Sequence, residues 1–248
     1  MSESAAPTPD SRTFRDSPVS FVRRSGRMSE AQERAWTELA PHFVIDVTRD
    51  AAATSILPGS TIDPAAVWGR EAPLVVEIGS GQGHAIVHAA ASRPDADFLA
   101  IEVFKAGLAR TMLDADRAGV GNLRLVEANA PEVLEHLLPE ASVDELWVFF
   151  PDPWHKKKHT KRRLVTAEFA GIAARVLRDG GMLRLATDWE DYALQMREVM
   201  SAAADFDAAF EGEWAPRYPG RVMTAFERKG ARVGRDIRDL SYRRATRS

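Results

Sequence analysis

The sequence predicts an α/β protein, a mostly parallel sheet with helices on both faces, and three observations carry that prediction. From residue 73 onward, short runs rich in β-branched residues alternate with segments of helical periodicity, the pattern of parallel strands joined by crossover helices. The first such run leads into a glycine-rich turn, Gly79-Ser-Gly-Gln-Gly83, ahead of an alanine-rich helix. The remaining strand ends carry acids or amides, namely Glu102, Asn129, Asp152 and Asp188. In open α/β sheets ligands bind at the carboxyl ends of the strands, where strand order reverses, so this set marks one edge of the sheet as a site.

Residues 1–20 are rich in Ser, Pro and Thr and read as a disordered tail. Residues 21–72 form an arm and the entry to the core. Arg23, Arg24 and Arg27 precede a helix at about 29–40, for which Ser29 is a good N-cap. The stretch 41–72 mixes short apolar pieces with Pro and Gly. The domain proper, 73–248, opens with a strand at Leu74–Ile78 and a helix from 83 to 92. A second strand follows at Phe98–Val103 and a second helix at 105–118, with Leu108 and Met112 one turn apart. The third pair is Leu123–Glu127 and a short helix at 131–138 that Pro131 starts. Glu145–Phe150 is the fourth strand. The helix at 164–178 has the clearest periodicity: Phe169, Ile172, Ala173, Val176 and Leu177 share a face, with Gly180 and Gly181 beyond as stop signals. Met182–Ala186 is a fifth strand, and a helix at 189–202 places Tyr192, Met196, Val199 and Met200 on one face.

Composition bounds the function. A chain of 248 residues, 45% hydrophobic and 28% charged, holds one large domain with a real core. There is no cysteine, which excludes disulfides and thiolate metal sites. His84 and His88 are one helical turn apart with no third ligand in view, so no metal site is expected. No apolar run approaches a membrane span and no secretory pattern opens the chain, so no membrane role and a cytoplasmic location are expected. The net charge of −3 conceals two basic stretches. Residues 156–163 hold six Lys or Arg and no acid, and residues 228–248 hold eight against Asp236 and Asp239. Both suggest localised phosphate contacts, although solvated surface lysines explain either stretch alone equally well.

The chemistry concentrates in two places. Glu77-Ile-Gly-Ser-Gly-Gln-Gly83 is not a dinucleotide fingerprint, because His84 occupies the third small position. With the acid Glu102 lying 23 residues past Gly79 at the next strand end, it fits a nucleoside cofactor. Glu102 suits the two hydroxyls of a ribose. Asn129 suits an adenine edge or, equally, an N-cap; Asp188 reads as a cap. The second place is 145–163. There an apolar strand stops at Pro151 and Pro153 around Asp152, and Trp154 and the basic loop follow. A carboxylate, an aromatic plate and a cationic loop suit a nucleobase on a polyanion, though Trp154 serves packing as readily as base stacking.

These residues resemble the class I S-adenosylmethionine-dependent methyltransferases and, more specifically, the bacterial tRNA (guanine-N7)-methyltransferase family. The resemblance rests on Arg23-Arg-x-Gly-Arg27, Glu77–Gly83, Ile101-Glu-Val103, Asn129-Ala130, Phe150-Pro-Asp-Pro-Trp-His-Lys156, Lys161-Arg-Arg163, Thr187-Asp-Trp-Glu190 and Thr224-Ala-Phe-Glu-Arg228. It covers residue 21 to the C-terminus. It implies a Rossmann-like fold with a mostly parallel seven-stranded sheet, tRNA as partner, and methylation of a variable-loop guanine, position 46. It also implies that Glu77, Gly79, Gly81, Gly83, Glu102, Asn129 and Asp152 bind S-adenosylmethionine. Lys156, Asp188, Thr224, Ala225, Phe226 and Glu227 are expected at the guanine nucleotide. Lys158, His159, Thr160, Lys161, Arg162 and Arg163 are expected on tRNA. Two positions depart from the family pattern: Asn129 replaces the frequent Asp, and Ala225 replaces a basic residue.

Guanine N7 carries an in-plane lone pair and no proton, so the reaction asks for alignment rather than a general base. Asp152 is therefore the expected catalytic residue, as an aligner. Two other readings stay open: an exocyclic-amine methyltransferase, against which Trp154 after a single proline argues, and a non-catalytic RNA-binding protein, against which the complete glycine loop argues. The arm at 21–40 serves dimer contact or RNA equally well, which leaves monomer and homodimer both open.

Overall fold

The computed structural model describes residues 27–223, 227 and 234–247. Five parallel strands form the middle and one flank of the sheet: β1 (Leu74–Ile78), β2 (Asp97–Glu102), β3 (Leu123–Glu127), β4 (Val143–Phe149) and β5 (Leu177–Thr187). β6 (Phe206–Ala208) and β7 (Arg238–Arg244) complete the order β3-β2-β1-β4-β5-β7-β6, with β7 antiparallel to both its neighbours. The direction of strand succession reverses between β1 and β4. That gap is where a doubly wound sheet opens a crevice.

The two-residue period of the strands divides the core. Leu74, Val76 and Ile78 of β1, with Leu146 and Val148 of β4, pack into one layer. Val75, Trp147 and Phe149 face the other, under α4 (His84–Ser92) and α5 (Lys105–Arg117). All five β1 side chains are buried, Glu77 among them. A carboxyl in the middle of a buried parallel strand has no packing rationale and marks the start of the site.

The arm laces onto this frame. α1 (Glu30–Glu38) begins with the capping box of Ser29 and Gln32, and Gln32 Nε2 also donates to the Ala106 carbonyl of α5 at 2.9 Å. After α2 (Ala40–Phe43), Val44 bridges Leu125 in parallel and so covers the exposed edge of β3. Ile56 N–H donates to Glu132, and Trp68 at the end of α3 (Pro64–Trp68) donates to the Asn122 carbonyl. Thus 41–72 is a strap over the sheet edge as well as an entry segment.

Three expectations change. The helix predicted at 164–178 is α7 (Ala167–Val176), capped by Thr166, and Leu177 already belongs to β5. Gly180 and Gly181 lie inside that strand rather than behind the helix. Pairing jumps from Val143↔Leu177 to Glu145↔Met182, so residues 178–181 bulge out, with Gly180 at φ 76°. The short helix at 131–138 is α6 (Ala130–Glu132) running into a wider π turn, Val133–Leu137. The helix at 189–202 is α8 (Glu190–Ala202).

The third change concerns the C-terminal basic stretch, for which phosphate contacts and a solvated surface were equally open readings. All its described arginines are engaged within the protein. Arg235 pairs with Asp188, Arg238 with Glu190, and Arg243 donates to the Gly180 carbonyl. Arg244 donates to Ala174, and Arg247 to Ala174, Arg175 and Leu177. Arg243, Arg244 and Arg247 stitch β7 and the chain end to α7 and β5, with Arg244 and Arg247 satisfying carbonyls at the helix C-terminus, while Arg235 and Arg238 hold the start of α8.

Candidate active site

The crevice between β1 and β4 is lined by Gly79, Gly81, Glu102, Asn129 and Asp152, together with apolar walls from Val103, Phe104, Phe150 and Leu164. Four different strands therefore deliver predicted residues to one cleft.

Its floor is the loop after β1, where Gly79, Gly81 and Gly83 have φ of 70°, 60° and 77°, a region costly for any residue with a Cβ. Gly83 is also pressed against α5: a Cβ there would meet Thr111 Cγ2 at 2.4 Å, so its role is packing rather than lining. Sequence reasoning missed Gly107. A Cβ on it would stand 2.2 Å from the Gly81 carbonyl oxygen, so this glycine lets α5 lie directly on the loop. A glycine inside the first turn of a predicted helix was the available signal.

Glu102 holds the loop from the other side. Its Oε2 accepts from Gly81 N–H at 2.8 Å, and its Oε1 accepts from Val103 and Phe104 N–H at 2.7 and 3.0 Å. Those bonds take three of about four acceptor sites on a carboxylate. Both hydroxyls of a ribose can then be received only if Glu102 shares or releases Gly81. Asn129 sits at the N-cap position of α6, yet its side chain does not cap. Its Nδ2 donates to Glu132 Oε1 at 2.8 Å, which orients Oδ1 as the acceptor left for the cleft.

Glu77 lies beneath the loop, 4% exposed, with no hydrogen-bond partner for Oε2 among the described residues. Burial, then the charge of Glu102, pushes its pKa up to about 8, against a weaker lowering by the Ile86 N–H. Glu77 is not among the residues that line the cleft, but a buried carboxyl with an unused oxygen beside a second carboxylate suits a cation. The ammonium and sulfonium of S-adenosylmethionine fit that requirement, and the glycine loop and Glu102 fit its nucleoside.

Asp152 stands between Pro151 and Pro153 at the mouth. Phe150 and Trp154, two residues to either side, have φ of 54° and 41°. Non-glycine residues in this region cost about 1–3 kcal/mol each and persist only where their surroundings hold them. The Arg221 guanidinium, 1% exposed, lies 5.6 and 5.3 Å from the Phe149 and Phe150 rings, and its Nη2 contacts both Asp239 oxygens at 2.9 and 2.7 Å.

The basic loop forms a 3-10 turn, Lys157–Arg162. Lys156, Lys157, Lys158 and Lys161 are exposed, while His159, Thr160 and Arg162 are half-buried. Trp154 is the platform for this loop: Arg162 lies 4.9 Å over its ring and His159 meets its edge at 5.7 Å. Slight burial and the neighbouring Arg162 and lysines hold the His159 pKa below its ordinary value. Arg163, expected on tRNA, is buried beneath the loop.

Other expected substrate contacts are also engaged elsewhere. Asp188 neither caps α8 nor lines the cleft; it pairs with Arg235 at 3.0 Å, and Arg235 covers the Trp189 ring at 5.1 Å. Glu227 is 2% exposed and pairs with Arg221 and Arg217, which makes it a buried counter-ion of the fold. Thr224, Ala225 and Phe226 lie outside the described residues, as do residues 1–26 with Arg23 and Arg24. Among the described residues no cluster of three potential metal ligands exists, and no helix is long and apolar enough to cross a membrane.

A nucleoside-sized cleft at the reversal point of a seven-stranded sheet with one antiparallel strand defines a class I methyltransferase. Two solved structures share the fold. They are the 16S rRNA methyltransferase KamB, with a TM-score of 0.51 at 18% identity over 70% of this chain and 88% of that one, and a 16S rRNA (adenine(1408)-N(1))-methyltransferase of Catenulisporales acidiphilia solved with its cosubstrate SAM, with a TM-score of 0.51 at 16% identity over 78% and 97%. Residues 71–240 match the family described as "Putative methyltransferase". Proteins named tRNA (guanine-N(7)-)-methyltransferase are similar over nearly the whole chain. That of Paenarthrobacter aurescens is 45% identical over 94% of this chain and 93% of its own length. That of Cutibacterium acnes is 48% identical over 93% and 84%, and that of Pseudomonas aeruginosa 43% identical over 91% and 88%. The chain belongs to the tRNA (guanine-N(7)-)-methyltransferase family.

Proposed function

We propose that the protein methylates N7 of a guanine in tRNA, the variable-loop guanine at position 46, with S-adenosylmethionine as donor. The observation that carries this reading is the convergence of Gly79, Gly81, Glu102, Asn129 and Asp152 on one cleft, with an exposed lysine run beginning four residues after Asp152. When bound, S-adenosylmethionine supplies a methyl group on a cationic sulfur. Glu102, and Glu77 once a bound cation displaces its proton, supply negative charge beneath it, and the glycine loop admits it close to the backbone. Guanine N7 has no proton, so the chain has none to remove before transfer. Asp152 accepts hydrogen bonds from the N1–H and N2–H₂ edge of the base and offsets the positive charge that develops on the purine. Lys156, Lys158, Lys161 and Arg162, with His159 and Thr160, supply phosphate-backbone contacts that fix the RNA without reading its sequence. The fold of the tRNA then selects the guanine.

The test is incubation of unmodified tRNA with labelled S-adenosylmethionine, followed by nucleoside analysis. The expected product is 7-methylguanosine. Label on an exocyclic amine assigns the protein to the other methyltransferase class, and tRNA binding without transfer makes it an RNA-binding protein.

A further inference from the structure

Arg163 ends the basic loop but shares nothing with its exposed members. Its side chain is 3% exposed. Its Nε donates to the Pro153 carbonyl at 2.8 Å, Nη1 to Gln195 Oε1 at 2.8 Å and Nη2 to Asp191 Oδ2 at 2.6 Å. The guanidinium also lies 4.8 Å over the Tyr192 ring. Gln195, Asp191 and Tyr192 are all on α8, so one side chain joins the residue after Asp152 to a helix more than two dozen residues downstream. α8 grips the far end of the loop as well. The Tyr192 hydroxyl accepts from Val165 N–H at 3.1 Å, and Gln195 Nε2 donates to the Val165 carbonyl at 3.3 Å. The loop from 153 to 165 is thereby closed at its base.

This closure matters because of what lies beside it. Neither Pro151 nor Pro153 has an N–H, so carbonyls provide most of the backbone handles around Asp152. Arg163 takes the one immediately after the acid. The strained backbone at Phe150 and Trp154 needs such external restraint to persist. A planar fork that satisfies three acceptors in three directions is a property of guanidinium and not of ammonium.

We propose that Arg163 is a positioning residue: it ties the Pro153 carbonyl to α8, thereby directs Asp152, and makes no contact with tRNA. The inference rests on the tRNA guanine-N7 methyltransferase reading, so wild-type protein is assayed first. Absence of transfer by wild type removes that reading; the variants decide the inference itself. In the full-length chain, Arg163→Lys keeps the charge and loses the fork. Its kcat is expected to fall about tenfold or more, while tRNA Kd stays within about twofold and its salt slope is unchanged. A direct phosphate contact predicts the reverse: Lys restores kcat, and Arg163→Gln lowers the salt slope by about 0.9. That result overturns the proposal. If Arg163→Lys does not fold, Gln195→Met removes one leg of the tie from outside the loop. It is expected to lower kcat about threefold at unchanged tRNA Kd, by loss of one of the three Arg163 bonds together with the Gln195 bond to the Val165 carbonyl. Wild-type kcat in that variant, or a defect confined to tRNA binding, overturns the proposal equally.

Discussion

The two walls of the cleft are held by different chemistry. On the β1–β3 side the backbone does the holding: Glu102 collects three N–H groups, Gly107 admits α5 against the Gly81 carbonyl, and Asn129 N–H donates to Thr54. On the β4–β7 side arginine side chains do it. Arg221 is buried between Asp239, Glu227 and two phenylalanine rings, Arg235 meets Asp188, and Arg163 meets Pro153. A small cofactor of fixed shape needs a rigid cradle, and short loops with glycine provide one cheaply in sequence. A large polyanion needs cationic loops on a firm base, and here exposed lysines stand on the loop while buried arginines brace its base.

The comparison can be broken at the arginine wall first. Arg221→Met leaves Glu227 and Asp239 buried without their shared partner, since Arg217 reaches only Glu227 and only at 3.4 Å. Removing one partner of a buried ion pair costs about 3–5 kcal/mol, so a loss of that size is expected in denaturant unfolding. A loss below about 1 kcal/mol would show that the network is dispensable to this wall. Next, Asp152→Asn is expected to lower single-turnover methylation about 10²–10³-fold with cofactor affinity nearly unchanged, the size of losing one charge-stabilising group. Near-wild-type transfer would remove Asp152 from the mechanism.

At the backbone wall, Gly107→Ala forces α5 away from the loop. A destabilisation of about 1–3 kcal/mol and weakened S-adenosylmethionine binding are expected. Gly171→Ala is the matched control, because it has open space around its Cβ position on α7 and should instead gain about 0.5–1 kcal/mol in helix stability.

Glu77 sharpens the contrast through pH. Its carboxyl titrates near 4.5 in an unfolded chain and at about 8 when buried here. The folded state therefore holds the proton longer, and Glu77's contribution to stability is complete below the lower value and lost as pH rises through the upper one. Glu77→Gln should flatten the stability profile across that window. A cation placed against Glu77 expels the proton, so S-adenosylmethionine should bind tighter near pH 8 than near pH 6, by about fiftyfold, the ratio of the deprotonated fractions at those two values for a pKa of about 8. Calorimetry in buffers of different ionisation enthalpy measures the released proton directly; pH-independent affinity with no proton release would place the cation elsewhere.

Much of the cofactor wall was legible in the sequence. β1 and β3 begin and end where periodicity puts them, and Glu102 and Asn129 reach the cleft from predicted strand ends. Gly107 was hidden because its partner, the Gly81 carbonyl, sits across a loop and a strand. On the other wall, Asp152 and its two prolines were legible, whereas the acceptors that hold Arg163, Arg221 and Arg235 were not. A run of like charges looks the same whether its members face solvent or brace a carbonyl. Asp188 and Glu227, expected at the substrate, pair with Arg235 and Arg221 for the same reason.

By itself the sequence determined the alternating strands and helices, the glycine turn, the stop at Pro151 and Pro153, and the acid between them. Each of these follows from forces acting over a few residues: side-chain period, the freedom of glycine and the locked φ of proline. Only the tertiary structure decided which cations are free for a ligand and which are desolvated clamps. That outcome depends on acceptors 28 residues from Arg163, 18 from Arg221 and 70 from Arg244 along the chain. The cost of burying a guanidinium is offset only where folding brings those acceptors to it.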